Sequence, residues 1–325
     1  GADISALAVA GVTAKRLAEL EDELGGHGLR RFFVEHGEGF FRLAPEFDTQ
    51  RKICAAVPEG TLRDILLEVA TEVLFIEDPD LGQHYHPRVN ARQTERFLDL
   101  CETDRQAFCR LHDDFFYNRH NRFWADKAME KLPVITGTAG NAQQAASMLP
   151  CAEDLGMVPA SVKGVLENLN ILSLEIQRMP KHYGRRFDDP QENPYLSVAT
   201  IATHDMPPFR LWWRTEREAA QAFWNDVLHR DGAAPDDAAP DLCEEVLAMH
   251  LESPSMLCVN ALQDLLAIDG KLRNPHPEKE QINDPANPNQ YWRYRMHLTI
   301  EELQSATSLN EKLRALIERS YRNIQ

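Results

Sequence analysis

The chain has 325 residues, 43% of them hydrophobic, 8% aromatic and 26% charged, an ordinary soluble globular composition with room for one large α/β barrel or two domains. Acids outnumber bases 51 to 35, giving a net charge of -16. Such a surface repels nucleic acid and anionic lipid, which excludes both as partners, and suits a neutral or a cationic substrate. Six cysteines (Cys54, Cys101, Cys109, Cys151, Cys243 and Cys258) form no CxxC pair and read as reduced thiols of a cytoplasmic protein. The apolar run "ISALAVAGV" follows an acid, is a poor signal peptide and is too short to span a membrane. The first residue is Gly rather than Met, which leaves residue 1 open as the natural start.

In chain order, "TAKRLAELEDELGG" (13–26) predicts a helix ended by Gly25 and Gly26. Residues 32–53 read as a connecting excursion with a hairpin at Gly37–Gly39. "GTLRDILLEVATEVLFI" (60–76) predicts one amphipathic helix with Leu62, Ile65, Leu66, Val69 and Val73 on its apolar face. A polar loop with "GQHYHPRVN" (82–90) follows, then a long helical stretch over 103–132, continuous or broken once.

From residue 133 short apolar runs alternate with helices. Strands are expected at 147–151, 171–179, 195–205 and 255–268; helices at 161–170, 210–229 and 242–251. The tail carries two Thr/Ser-x-x-Glu capping boxes, Thr299 with Glu302 and Ser308 with Glu311. This alternation predicts a parallel sheet with helices outside, either a barrel or a doubly wound sheet. About four strands are visible, short of a complete eight-stranded barrel.

In a parallel α/β barrel the working residues stand past the C-terminal strand ends. Here those ends carry Glu153 and Asp154, Gln177 and Arg178, His204 and Asp205, and Gln263 and Asp264. Any one such carboxylate also reads as the N-cap of the following helix, and Asp154 fits that structural role. Two carboxylates across a cleft suit glycosyl transfer, one protonating the departing oxygen and the other meeting the cationic transition state. His84 and His86 have His-x-His spacing, which is compatible with a metal but lacks a nearby third ligand and reads more readily as surface. Trp212 and Trp213 fit either sugar stacking or the core. "NDPANPNQYWRYR" (283–295) fits either a substrate-lining loop or a packed connector.

Several motifs, in order, carry a resemblance: "LAPEFDTQRK" (43–52), "YHPR" (85–88), "DDFFYNRHNRFW" (113–124), "CAEDLGMVP" (151–159), "LSLEIQRMPK" (172–181), "ATHD" (202–205), "MHLESPSMLCVNALQDLLAID" (249–269) and "INDPANPNQYWRYRMHLT" (282–299). Together they resemble the 4-α-glucanotransferases of the amylomaltase, or disproportionating-enzyme, type, an α-amylase-clan family, in its bacterial and plant-cytosolic form. The resemblance implies a (β/α)8 TIM-barrel-type glycosidase fold with helical excursions. It implies a retaining double displacement that moves α-1,4-glucan segments between malto-oligosaccharides in starch, glycogen or maltose metabolism, without metal or organic cofactor. By motif, Glu153 is implied as acid/base, Asp205 as transition-state stabiliser, and His204 and Asn283 as sugar contacts. Arg178 and Gln263 are candidate substrate contacts from their strand-end position.

The family's nucleophile is the aspartate of an Arg-x-Asp strand end, and none occurs upstream of Glu153: Asp48, Asp64, Asp78 and Asp113 all lack the Arg two places before. The segment 132–156 is also longer and richer in Gly and Ala than the family's approach to the glutamate. The expectation is therefore a single domain, the C-terminal portion of the catalytic barrel, with 1–132 a mostly helical insertion and 133–325 the barrel units, inactive alone. Two rivals stand beside it. One is a non-catalytic glucan-binding remnant. The other is a metal-dependent barrel hydrolase using His84, His86, Glu153, His204 and Asp205.

Overall fold

A computed structural model describes residues 4–26, 28–37, 39–136, 149–153, 158–182, 184–287 and 289–322. Where the sequence suggested one domain with a boundary near residue 132, the chain divides into two compact units, Gly1–Trp124 and Ala125–Gln325.

Among its described residues the first unit holds five short strands beside its helices. Its sheet is antiparallel, in the order β1 (Gly11–Thr13), β3 (Phe40–Leu43), β2 (Phe33–Glu35). The β2–β3 hairpin turns where expected: Gly37 and Gly39 take φ of +82° and +70°, which glycine adopts without steric cost. Thr13 caps the helix Ala14–Glu23, its hydroxyl accepting from Arg16 N, and Leu17 and Leu20 reach the core beside Phe32, Ile53 and Leu66. The helix expected over 60–76 stops at Val69. Beyond it β4 (Phe75–Glu77) pairs antiparallel with β5 (Tyr85–Pro87), so the "LFI" run and part of the polar loop form a ribbon. The stretch 102–131 is continuous, Glu102–Asp113 passing through a π-helical turn, Asp114–Arg119, into His120–Lys131.

The second unit is α/β. Four strands, β6 (Cys151–Ala152), β7 (Leu172–Glu175), β8 (Ser197–Ala199) and β9 (Leu257–Cys258), make one parallel sheet in sequence order. Each is shorter than the apolar run that announced it, and residues 147–148 and 154–157 lie outside the described residues. The run 255–268 is corrected most: only Leu257–Cys258 is strand, and Leu262–Leu266 is helix. Helix Ser161–Leu169 ends at Asn170 with φ +51°, a left-handed cap that turns the chain into β7. The helix expected over 210–229 is three pieces, Phe209–Thr215, Arg217–Ala222 and the π-helical Phe223–Val227. Thr215 Oγ1 donates back to Leu211 O (3.0 Å) just before the break, a bond that competes with helix continuation. Of the two tail capping boxes, Thr299–Glu302 is formed, whereas the last helix starts at Thr307, two residues earlier than an N-cap at Ser308 requires.

The core of this unit is aromatic. Phe223, fully buried, has ring neighbours in Phe187, Phe209, Trp212 and Trp213, at 5.1–6.3 Å. Trp213 is also fully buried and donates Nε1–H to Pro235 O (2.8 Å), so both tryptophans belong to packing and neither to a sugar platform. This core anchors the helix that follows the β8 loop, and with it the site.

Candidate active site

Because β6, β7 and β8 are parallel, their C-terminal ends open on one side. Glu153 follows β6 directly, and Asp205 stands on the loop after β8. Both line the same cleft, of about 850 Å³, together with Leu174, Ile176, Met206 and Pro285. The mixture suits a polar ligand: two acids past the C-terminal ends of β6 and β8, with Lys181, Thr203 and apolar side chains in the same lining.

Asp205 is held from two sides. Asn283 Nδ2 donates to its Oδ1 at 2.6 Å, and His204 Nε2 lies 3.4 Å from its Oδ2. Asn283 N also donates to His204 O at 3.1 Å, so the 283 loop is fastened to both residues. Trp292, 60% exposed on the same loop, packs its ring 4.8 Å from that of His204. The loop 283–295 is laced to the β8 loop and contributes Pro285 to the lining of the cleft, with residue 288 outside the described residues.

Arg178 and Gln263 are placed elsewhere than the strand-end expectation put them. Neither lines the cleft. Gln263 is 3% exposed, sits on helix Leu262–Leu266 rather than at a strand end, and donates Nε2–H to Glu280 O (3.0 Å). Arg178 Nη2 donates to Ile201 O (3.0 Å) and Pro207 O (3.2 Å). Sequence reasoning missed the buried carboxyls behind the cleft as a group. Asp264 was visible only as a strand-end acid, and Glu280, in "PEKEQI", gives no local signal. Burial pushes Asp264 up to about 6 against the pull of the Phe209 N–H and the Arg178 charge. Burial likewise pushes Glu280 up to about 7, with Arg210 and Arg273 pulling the other way.

In the first unit His86 Nε2 pairs with Asp78 Oδ2 (2.9 Å) and His84 Nδ1 lies 2.9 Å from Leu81 O. Among the described residues no group of three or more His, Cys, Asp or Glu stands close enough to hold a metal ion.

The Glu280 carboxyl makes a testable contribution to stability. Its folded value lies above the ordinary 4.5, so its contribution is complete below about pH 4.5 and is lost as the pH rises through 7. Glu280→Gln removes the titration. The melting temperature of the variant minus that of the wild type is expected to climb between pH 5 and pH 8 by about 5 °C, from a linkage of about 2 kcal/mol. Parallel melting curves across that range would contradict the assignment.

A family model described as 4-alpha-glucanotransferase, glycoside hydrolase family 77, matches residues 36–299. The 4-alpha-glucanotransferase DPE2 of Oryza sativa subsp. japonica is 29% identical over 303 residues, 90% of this chain and 31% of its own length. The 4-alpha-glucanotransferase of Chlamydia muridarum is 30% identical over 203 residues, 60% of this chain and 37% of its own. The chain thus spans about a third of the length of these relatives. Among solved structures, amylomaltase from Streptococcus agalactiae in complex with acarbose aligns with 54% of this chain and 32% of its own, at 19% identity and a TM-score of 0.42. With the family match covering most of its length, the chain belongs to the 4-alpha-glucanotransferase family, glycoside hydrolase family 77.

Proposed function

We propose that this chain carries the acid/base side of a 4-α-glucanotransferase site, in a protein that moves α-1,4-glucan segments between malto-oligosaccharides with retention at the anomeric carbon. The observation that supports it most is that Glu153 and Asp205, at the ends of β6 and β8, line one cleft. Glu153 protonates the glycosidic oxygen as it leaves and, as carboxylate, removes the proton of the incoming 4-hydroxyl. Asp205, held by Asn283, faces the positive charge that develops on the sugar ring. His204, 46% exposed beside it, has a free edge for a sugar hydroxyl.

Double displacement also needs a nucleophilic carboxylate. No Arg-x-Asp lies upstream of Glu153, so this chain by itself is proposed to bind glucan without turning it over. The four parallel strands fit part of a (β/α)8 barrel, because neighbours follow sequence order without the reversal that marks a doubly wound sheet. The first unit is then an excursion from that barrel. No described helix is long and apolar enough to cross a membrane, and the described cysteines are free thiols; both fit an enzyme of cytoplasmic starch, glycogen or maltose metabolism.

The test is product analysis. The whole protein given maltotriose is expected to yield glucose together with chains longer than three units, with or without chelator. Glucose and maltose alone, with no longer chains, would mean hydrolysis and overturn the reading.

A further inference from the structure

The loop that presents Asp205 to the cleft runs from Ile201 to Pro207, and both of its ends meet one side chain. Arg178, three residues past the end of β7, reaches beneath it. The two N–H groups of its Nη2 go to Ile201 O (3.0 Å) and to Pro207 O (3.2 Å), carbonyls six residues apart that bracket Thr203, His204 and Asp205. The guanidinium lies over the Trp212 ring, 4.9 Å from the centroid, and its Nε and Nη1 are buried. Behind it stands Asp264, whose Oδ1 accepts from Phe209 N (2.9 Å) at the start of the helix that leaves the loop. We propose that Arg178 is a positioning residue: it ties the two ends of the 201–207 loop together and thereby fixes the direction in which the Asp205 carboxylate meets the substrate.

The chemistry requires arginine. A planar guanidinium sends two diverging N–H groups from one nitrogen in a fixed plane while its face stacks on an aromatic ring; an ammonium on a flexible stem does not do both at once. Burial brings Arg178 down to about 10, with Asp264 holding it up, so it remains a cation at neutral pH. Besides Arg178, the 201–207 loop is held from outside by Asn283, which donates to His204 O (3.1 Å) and to Asp205 Oδ1 (2.6 Å), and the bonds inside it are local. Asp205 N donates to Thr203 Oγ1 (3.3 Å) and Met206 N to Thr203 O (3.3 Å), which shape the turn without anchoring it. Ile201 N to Asn260 Oδ1 (3.1 Å) secures only the incoming end. Released at Pro207, the loop keeps its turn and its bonds to Asn283, but its two ends are no longer tied to each other, and the direction of Asp205 rests on Asn283 alone. A misplacement of about 1 Å at a reacting group costs on the order of 10²-fold in rate.

The inference rests on the reading of Asp205 as the carboxylate that meets the sugar's positive charge, and two independent readouts separate the claims. In the whole protein, R178K and R178M are compared with wild type for transfer from maltotriose and for amide hydrogen exchange. Both variants are expected to exchange the amides of Ala202 to Met206 about 10-fold faster or more, with helix Pro240–Leu251 unchanged. Transfer is expected to fall about 10²-fold in kcat with KM within about threefold. R178K keeps charge and most volume, so it reads out the loop even where R178M fails to fold. Unchanged exchange in 202–206 overturns the proposal. So does exchange that rises equally in Pro240–Leu251, which would make Arg178 a general stabiliser, and so does a raised KM at constant kcat, which would make it a direct sugar contact. A wild-type protein without transfer activity would sink the functional reading, while the exchange measurement would still judge the clamp.

Discussion

In the whole protein, replacing Glu153 by Gln is expected to lower glucan transfer by about 10²–10⁴-fold, the usual worth of a positioned general acid. The substitution keeps the side chain's shape and removes only its proton. Glu153 is exposed at the end of β6, so the change is expected to leave stability within about 0.5 kcal/mol. The informative comparison is between donors. A glucan leaves as an alkoxide unless protonated, so its departure needs the acid. An α-glucosyl fluoride releases fluoride, a stable anion whose departure does not. The loss with fluoride as donor is therefore expected to be at least about 10-fold smaller than with maltotriose. A small anionic acceptor such as azide needs no general base and should restore part of the second half of the reaction. An equal loss with both donors and no effect of azide would mean that Glu153 supports the cleft without moving a proton.

That Glu153 and Asp205 meet in one cleft follows from features the sequence displays openly: apolar runs of similar direction, each ending in an acid. What the sequence hides is where each strand stops. Apolar alternation reports burial, not ladder hydrogen bonds. Ile201 and Ala202 are 3% and 5% exposed, and they extend the apparent strand of 195–205, yet β8 ends at Ala199. After β7 the error changes a residue's role. A strand continuing to 179 would point Arg178 the same way as Ile176, into the cleft. The ladder ends at Glu175 instead, and Met179 N donates to Ile176 O (2.9 Å), a turn that breaks the period of two and sends Arg178 inward. Gln263 is misread for a related reason. "NALQDLLAI" is a short apolar run that fits strand or helix, and as a helix it buries Gln263, Asp264 and Leu266 together. The capping box at Thr299 and the helix 161–169 are legible because their signals are local, whereas the Asn283–Asp205 bond joins residues 78 positions apart and leaves no trace in either motif.

That long-range bond sets the second large effect. Asp205→Asn keeps the side chain's volume and removes its charge. If the carboxylate faces an oxocarbenium-like transition state, the loss is expected to be about 10³-fold in kcat, with KM little changed, because the attraction exists only when positive charge develops. Asn283→Ala removes the donor 2.6 Å from Asp205 Oδ1. A hydrogen bond to a charged group contributes about 1.5–3 kcal/mol, so a loss of about 10–100-fold is expected from Asn283→Ala alone. The double variant decides how Asn283 acts. If its amide works by orienting Asp205, its removal costs little once Asp205 is Asn, and the two effects are strongly non-additive. If Asn283 instead contacts glucan independently, the effects multiply and the Asn283→Ala loss falls on KM. Measuring kcat and KM for the four proteins of this cycle separates the two. Additive losses would remove Asn283 from the electrostatic support of Asp205 and return it to the sugar.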